Sequence, residues 1–562
     1  MVSYTLRTIV TALMLFALSS LNAQGTIDFE INDKNWQKDK KAMRNFYGEK
    51  FKFSQADSLR GSLNEHRAFN VHYYELFLKI EPKDSSLQGV NHIHFTPQNP
   101  NMRKLQLDLF DNMRLDSIIW RGKSLEYERI GNHFWVKFPQ SLEVQEEQEL
   151  AVYYGGQPKV AVKPPWDGGF VWKKDPSGKD WAAVACEGIG ASLWWPNKDH
   201  LSEVPDSMRL HYEVPKPLKA VGNGVLEHIE EKEETQVFSW KISYPIINYN
   251  VTVNIADYGH FSDTFETNKG LLPLDFYVLK KNKETAKAHF QQVKPMLACY
   301  EQHFGSYPFL RDTYKLVETP YWGMEHQSAI AYGNQYRNNG FDFDYIIIHE
   351  SGHEYFGNSV SVQDHAEMWI HESFTTYMEA IYVECMQDSA SAVEYLKTQK
   401  GQIQNQFPVL GPLDVNFNSW PDSDMYFKGT WFLHTLRMVV NDDEKWWPLL
   451  YDLHQGFKYR KTNTDLVVKF LNDNIKADLL PLFSQFLHYP EFARLALKTK
   501  SKQKIKLKWN AEAKGFEMPV IFYDDKGNKE RVKVKANKWT TFKWKHDSKP
   551  ILDRNFLFEM AE

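Results

Sequence analysis

Cysteine is nearly absent: Cys186, Cys299 and Cys385 are the whole complement of 562 residues. An odd number at such wide separations permits at most one disulfide and excludes a disulfide-framed scaffold. A dominant charge is missing as well. The 67 basic and 72 acidic side chains leave a formal net charge of -5, no basic stripe points to nucleic acid as a partner, and the run Glu230-Glu231-Lys232-Glu233-Glu234 suits a solvated hairpin tip better than an interaction tail. A membrane-spanning run is lacking too. After Arg7 the apolar stretch over residues 9–18 is too short to cross a bilayer, and it ends in Ser19-Ser20-Leu21-Asn22-Ala23-Gln24. That reads as a secretory signal peptide cut near Ala23, with an uncleaved N-terminal anchor as the other reading. No cysteine follows it, which argues against a lipoprotein anchor. Export to a periplasmic or extracellular space is therefore expected on the leader alone, with no stable membrane span in the mature chain.

At 66.0 kDa the chain is too long for one core and implies several domains. With 42% hydrophobic and 25% charged residues it falls among globular proteins. Residues up to about Arg67 are charged and weakly patterned, and are expected to form a lead-in segment. From Phe69 the pattern has period two: Tyr74, Leu76, Leu78 and Ile80; Leu105, Leu107 and Leu109; Phe134, Val136 and Phe138; Leu150, Val152 and Tyr154. This predicts a run of antiparallel strands to about Tyr258, with Asp167-Gly168-Gly169 and Gly222-Asn223-Gly224 as turns. The reading becomes helical from Glu284. A helix is predicted over 286–304 with Gly305 closing it, then a strand over 314–318, and further helices over 374–386, 428–440 and 482–487. Beyond Lys500 strands return, with Asp525-Lys526-Gly527 turning a hairpin between 520–523 and 531–534.

The richest segment is His349-Glu350-Ser351-Gly352-His353, followed by Glu372 in Trp369-Ile370-His371-Glu372-Ser373. Residues four apart share a helix face, so His349 and His353 can offer two imidazole nitrogens to one zinc ion while Glu350 projects beside them. A catalytic zinc takes three protein ligands and keeps one open position. A carboxylate from a second helix is the usual third ligand of an H-E-x-x-H peptidase, and Glu372 is placed to be it. The apolar run Tyr345-Ile346-Ile347-Ile348 would bury the start of this helix. A metzincin-type third histidine is excluded, because Phe356 and Ser359 stand at the motif's glycine and histidine positions. A helix can also carry two histidines and a glutamate for packing alone, and that is the competing reading.

These residues resemble the M1, or gluzincin, aminopeptidases, whose pattern is H-E-x-x-H, eighteen residues, then E. The likeness extends to His353-Glu354-Tyr355-Phe356-Gly357-Asn358, similar to the family's H-x-W-F-G-N, and to Trp369 through Tyr377, similar to W-L-N-E-G-F-A-T-Y. The resemblance implies a multidomain α+β architecture: a leader over 1–23, a lead-in over 24–67, an N-terminal all-β saddle-like domain over 68–262, a thermolysin-like α/β catalytic domain over 263–500 and a small basic β-domain over 501–562. It also implies one zinc ion per chain, peptide substrates with a free N-terminus, and release of the N-terminal residue by a zinc-activated water with Glu350 as general base. The large helical domain that roofs the site in many relatives has no counterpart in these residues, so a more open cleft is expected.

The remaining roles follow from the same resemblance. Trp322-Gly323-Met324-Glu325-His326 stands where the family has G-x-M-E-N, so Glu325 becomes the anchor for the substrate amine, with Gly323 and Met324 beside it. Trp322 replaces the family's first glycine and His326 its asparagine, which leaves the flanking backbone contacts open. Cys186-Glu187-Gly188-Ile189-Gly190-Ala191-Ser192-Leu193-Trp194-Trp195-Pro196 is similar to the segment that supplies a second amine anchor, here Glu187; a loop carboxylate that only shapes the turn is the alternative. Met425-Tyr426-Phe427-Lys428-Gly429 resembles Y-E-K-G, which gives Tyr426 the role of donor to the oxyanion. His326 and His371 read as packing or supporting residues, since zinc already has its three donors. Two other classes stay open: a thermolysin-like endopeptidase, which would lack the amine anchors, and a non-catalytic peptide-binding scaffold. An epoxide-opening hydrolase, a second activity of this scaffold, is the weaker enzyme alternative. The preferred N-terminal residue and the oligomeric state are not readable.

Overall fold

The computed structural model describes residues 29–417, 420–475, 478–501 and 503–561; the expected leader lies outside them. The period-two pattern is realised as strands. In Phe69–Glu81, the side chains of Tyr74, Leu76, Leu78 and Ile80 are buried, and this strand lies inside an eight-stranded sheet. Its neighbours are Ser86–Pro97 on one side and Ser207–Pro215 on the other. The second pairing departs from the antiparallel expectation: Tyr73 faces Ser207 in a parallel ladder. A parallel neighbour requires a crossover connection, and the chain between the two strands supplies one long enough to build two smaller sheets on the way. These are Met102–Asp108, His133–Leu142 and Glu126–Ile130 in one, and Gly169–Lys174 and Asp180–Ala185 in the other, the latter completed by Asn254–Ala256 and Lys219–Val221.

The division expected at 262/263 falls inside the strand Tyr258–Thr267. This strand opens a five-stranded sheet that continues through Gly270–Leu279, Tyr314–Glu318 and Ile330–Tyr332 to Gly323–Met324 at the edge. The helix expected over 286–304 is two helices, Lys283–His289 and Val293–Phe304, separated by a 3-10 turn at Phe290–Gln292. Gly305 closes the second with φ of 93°, a conformation favoured only for glycine. A disulfide, Cys299–Cys385, joins that helix to Trp369–Met386, while Cys186 is free and buried.

The lead-in segment holds more structure than its composition suggested. Lys34–Lys50 is a helix capped by Asp33, whose side chain accepts from the backbone of Asn35 and Trp36. Its buried residues Trp36, Lys40, Met43 and Tyr47 recur at spacings of three and four, the stripe of an amphipathic helix. The Trp36 indole donates to Asp465 at 3.1 Å, the Tyr47 hydroxyl to the Pro408 carbonyl at 2.9 Å, and Asp39 accepts from Ser484 and Tyr489. Burial of a tryptophan and a tyrosine against residues more than 350 positions later closes the N-terminal segment onto the helical region. The C-terminal strands also start before the expected boundary, with Arg494–Ser501 pairing to Lys504–Asn510. The expected hairpin is present as Glu517–Tyr523 against Lys529–Lys535, with Gly527 at φ 81° in the turn. Among the described residues no helix is long and apolar enough to cross a membrane.

Candidate active site

The site helix, Tyr345–Gly352, begins at an elaborate N-cap. The Asp344 carboxylate accepts from the Ile346 backbone N–H at 3.0 Å, the Tyr332 hydroxyl at 2.7 Å, the Asn334 amide at 2.8 Å and the His289 ring at 2.7 Å. A charged cap here satisfies an otherwise orphaned helix donor and favours the positive end of the helix dipole. Ile346, Ile347 and Ile348 are buried, as expected, and aim the following histidines into the interior. The α-helical run ends at Gly352, and His353 is its C-cap in right-handed helical conformation. It therefore still lies one turn from His349.

His349, His353 and Glu372 converge. The Nε2 atoms of the two histidines are 3.2 Å apart, and Glu372 Oε2 lies 3.6 Å from His349 Nε2 and 3.4 Å from His353 Nε2. A tetrahedral zinc with bonds of about 2.0–2.1 Å would hold its ligands about 3.4 Å apart, so the triangle has the required size. The other ring nitrogens are already engaged. His349 Nδ1 donates to Glu379 at 2.7 Å, and His353 Nδ1 lies 3.0 Å from the Phe356 carbonyl oxygen and 3.2 Å from Thr375 Oγ1. These contacts turn both Nε2 lone pairs toward the same point as Glu372 Oε2, which is buried without an aligned donor. Two lone pairs and an anionic oxygen facing one another need a cation between them; the residues fit zinc.

The carboxylates around this point are electrostatically crowded. Glu325, Glu350 and His353 each bring an atom within 4.8 Å of the other two. Burial pushes the Glu350 carboxyl up to about 7; His349 and His353 pull against this and Glu325 and Glu372 add to it. Glu325 is raised by burial too, with the His353 charge opposing and that of Glu372 reinforcing. Glu187, partly exposed in the loop after Asp180–Ala185, is raised by burial of its carboxyl and then by Glu325, Glu372 and Glu350. Burial acts the same way on Glu372, yet His353 and His349 hold it well below the usual carboxylate range. Glu187, Glu325 and Glu350 thus share one buried space in which each carboxylate raises a neighbour.

Glu325 is held by two contacts that the sequence did not disclose. The Tyr249 hydroxyl donates to its Oε1 at 2.9 Å, and the Asn358 amide donates to its backbone carbonyl at 2.8 Å. Asn358 is itself fixed by Asn250 at 2.6 Å, so the β-rich N-terminal region reaches into the site through Tyr249 and Asn250. Gly323 and Met324 form the edge strand, with Tyr332 and Ala331 opposite. A Cβ at Gly323 would come 2.4 Å from Glu350 Oε1, which explains glycine there. His326 and His371 stay out of the zinc triangle. Burial lowers both to about 3, and the His371 Nε2 accepts from the Val362 backbone at 3.1 Å.

Tyr426 precedes the helix Phe427–Val440, and its ring lies 6.2 Å from that of His349, nearly parallel to it. Close helix packing puts it there: a Cβ at Gly429 would collide with Ser373 Oγ at 1.7 Å, and Ser373 donates to the Met425 carbonyl at 2.6 Å. Lys428 points the other way and donates to the carbonyls of Tyr489 and Pro490. The supporting residues that sequence reading missed are Glu379, Thr375, Tyr395 and Gln399. Glu379 takes hydrogen bonds from Tyr395 and, at 3.0 Å, from Gln399. Its position seven residues after Glu372, on the same helix face, was the available signal.

Residues 289–486 match the family model described as the peptidase family M1 domain. Over 321 residues, 55% of this chain, the sequence is 24% identical to probable aminopeptidase 1 of Saccharolobus solfataricus, and the match spans 38% of that protein. It is 22% identical over 262 residues to aminopeptidase N of Escherichia coli K12, covering 43% of this chain and 30% of that one. The chain therefore spans well under half the length of these curated relatives. The fold is similar to a solved Deinococcus radiodurans M1 zinc metallopeptidase bound to a Tyr-Ser-Ala substrate, with a TM-score of 0.63, 19% identity and coverage of 75% of this chain and 95% of that one. The zinc-sized triangle lies inside residues 289–486, the stretch that matches the peptidase family M1 domain model.

Proposed function

We propose that this protein is a zinc-dependent aminopeptidase that removes the N-terminal residue of peptides. The observation that carries the reading is the pairing of a zinc-sized triangle, His349, His353 and Glu372, with an acidic recess formed by Glu325 and Glu187. Zinc held by the triangle would supply Lewis acidity to the scissile carbonyl and to the attacking water. The chain's own residues do the rest. Glu350 clusters with His353 of the triangle and Glu325 of the recess, all within 4.8 Å of one another, where its carboxylate can take the proton of the attacking water and deliver it to the departing amine. Tyr426, beside His349, is a neutral phenol whose O–H can donate to the developing oxyanion. The recess selects the substrate end. Two neighbouring carboxylates that have no lysine or arginine partner among the described residues repel each other, and an ammonium group relieves that repulsion through charge-assisted hydrogen bonds. The Tyr249 hydroxyl occupies one face of Glu325, which fixes where the ammonium sits and so which peptide bond reaches Glu350.

Metal analysis of the purified mature protein together with aminoacyl fluorogenic amides, with and without a chelator, tests this. One bound zinc per chain and chelator-sensitive release of the fluorophore are expected; turnover that survives complete removal of metal would refute it. We also propose export of the mature chain. What supports it is the leader reading, together with the Cys299–Cys385 disulfide, a bond that persists mainly in oxidising compartments. Periplasmic or culture-supernatant fractionation of the full chain decides the matter.

A further inference from the structure

Trp322 replaces the glycine expected at the head of the edge strand, and the catalytic reading leaves it without a task. Its side chain is 44% exposed, and 6.3 Å away stands a second indole, Trp166, at 74%. Two indoles left to water side by side mark a place where something else binds. Val160 and Val162, a few residues before Trp166 in the chain, are 54% and 83% exposed.

Both indoles are held rather than loose. The Trp322 Nε1–H donates to Asn334 at 3.0 Å, and Asn334 in turn donates to Asp344, the N-cap of the site helix. The Trp322 ring stacks on Tyr345 at 5.5 Å, and Tyr345 stacks on His349 at 5.1 Å. An unbroken ladder of rings thus runs from the surface to a zinc ligand. Trp166 is presented by a loop that Asp167 staples from within, accepting from the backbone of Val162 at 2.7 Å and of Lys163 at 2.8 Å. Rigid aromatic surfaces bind with little loss of side-chain freedom, which makes them efficient anchors.

Order along the edge strand decides which part of a substrate reaches them. Glu325 marks the amine, and Gly323, in contact range of Glu350, marks the scissile bond. Trp322 comes next, on the side away from Glu325. A peptide anchored by its ammonium and cleaved at Glu350 therefore carries its second residue toward Trp322. We propose that Trp322 and Trp166 form an aromatic shelf for the side chain of the residue after the scissile bond, so that peptides with an aromatic or large apolar second residue are preferred. This inference rests on the aminopeptidase reading for its direction, and its test separates the two.

The test uses Ala-Phe, Ala-Leu, Ala-Gly and Ala-Asp amides. In the zinc-loaded protein kcat/KM for Ala-Phe should exceed that for Ala-Gly about tenfold, equivalent to about 1.4 kcal/mol. Trp322→Gly, which restores the family's residue, should bring that ratio close to one. Trp166→Ala, a change at an exposed loop that cannot empty a core, should lower it about threefold, and Trp322→Phe should keep most of it. Binding of the same amides to the Glu350→Gln protein, followed by tryptophan fluorescence, gives the parallel readout without turnover. Turnover of all four amides with equal efficiency, or a ratio unmoved by both tryptophan substitutions, overturns the shelf and leaves the aminopeptidase reading standing. Selective Ala-Phe binding that Trp322→Gly abolishes, in a protein that cleaves none of the amides, leaves the shelf standing and removes the aminopeptidase reading.

Discussion

The zinc triangle and the acidic recess lie side by side, and they are built in opposite ways. At the triangle each histidine is gripped from behind: Glu379 holds His349, and Phe356 with Thr375 holds His353. The grip on Glu379 continues outward to Tyr395 and Gln399. At the recess, Glu325 sits just past an edge strand two residues long, Gly323–Met324, and Glu187 is in a loop between two regions of the chain. The Glu325 side chain accepts from the Tyr249 hydroxyl. The contrast teaches a division of labour. Metal geometry tolerates errors of a fraction of an ångström, which demands a braced scaffold; recognition of a mobile ammonium group rests on unbalanced charge, which a loop can supply.

Substitutions should separate the two halves by what they leave intact. The largest effect belongs to the group that clusters with both. Glu350→Gln should lower kcat by about a thousandfold while zinc content, read by metal analysis, stays at the level of the unmodified protein. Glu325→Gln should then cost about a hundredfold in kcat/KM on peptides with a free amine, in line with loss of one member of a buried charge pair, again with zinc retained. A wound on the other side has the reverse signature. Glu379→Gln should weaken zinc binding about 10 to 100-fold, measured by competition with a chelator, with little change in kcat once metal is saturating. The smallest effect is expected at Glu187, where Glu187→Gln should raise KM a few-fold, because Glu325 still provides a charge-assisted partner. Equal loss of zinc in the Glu325 and Glu379 variants would erase the distinction between the halves.

The triangle was legible in the sequence because its spacing is dictated by helix geometry: residues 349, 353 and 372 can be paired by counting turns and by family pattern. The brace was not, since Thr375, Tyr395 and Gln399 are ordinary helix residues whose contacts arise from how three helices stack. Glu379 was within reach at seven positions from Glu372. Tyr249 and Asn250 were beyond it, because only the docking of the β-rich region carries them to Glu325 and Asn358. The same asymmetry runs through the fold. Alternating strands were plain, whereas the helix Lys34–Lys50 hid its stripe of Trp36, Met43 and Tyr47 among lysines and aspartates, and the parallel ladder between Tyr73 and Ser207 has no local signal at all. The helices Ser389–Lys400, Asp443–Phe457 and Thr464–Ile475 escaped for a similar reason: their polar positions dilute the periodicity that burial reveals.

The coupling of triangle to recess is tested most directly by hydrolysis of one peptide, with its amino terminus either free or acetylated, by the zinc-loaded protein. Acetylation removes the ammonium and leaves the scissile bond unchanged. Loss of at least about a hundredfold in kcat/KM is expected on acetylation, as removal of a buried charge partner demands; equal rates on the two peptides would contradict the recess and return the protein to an endopeptidase reading.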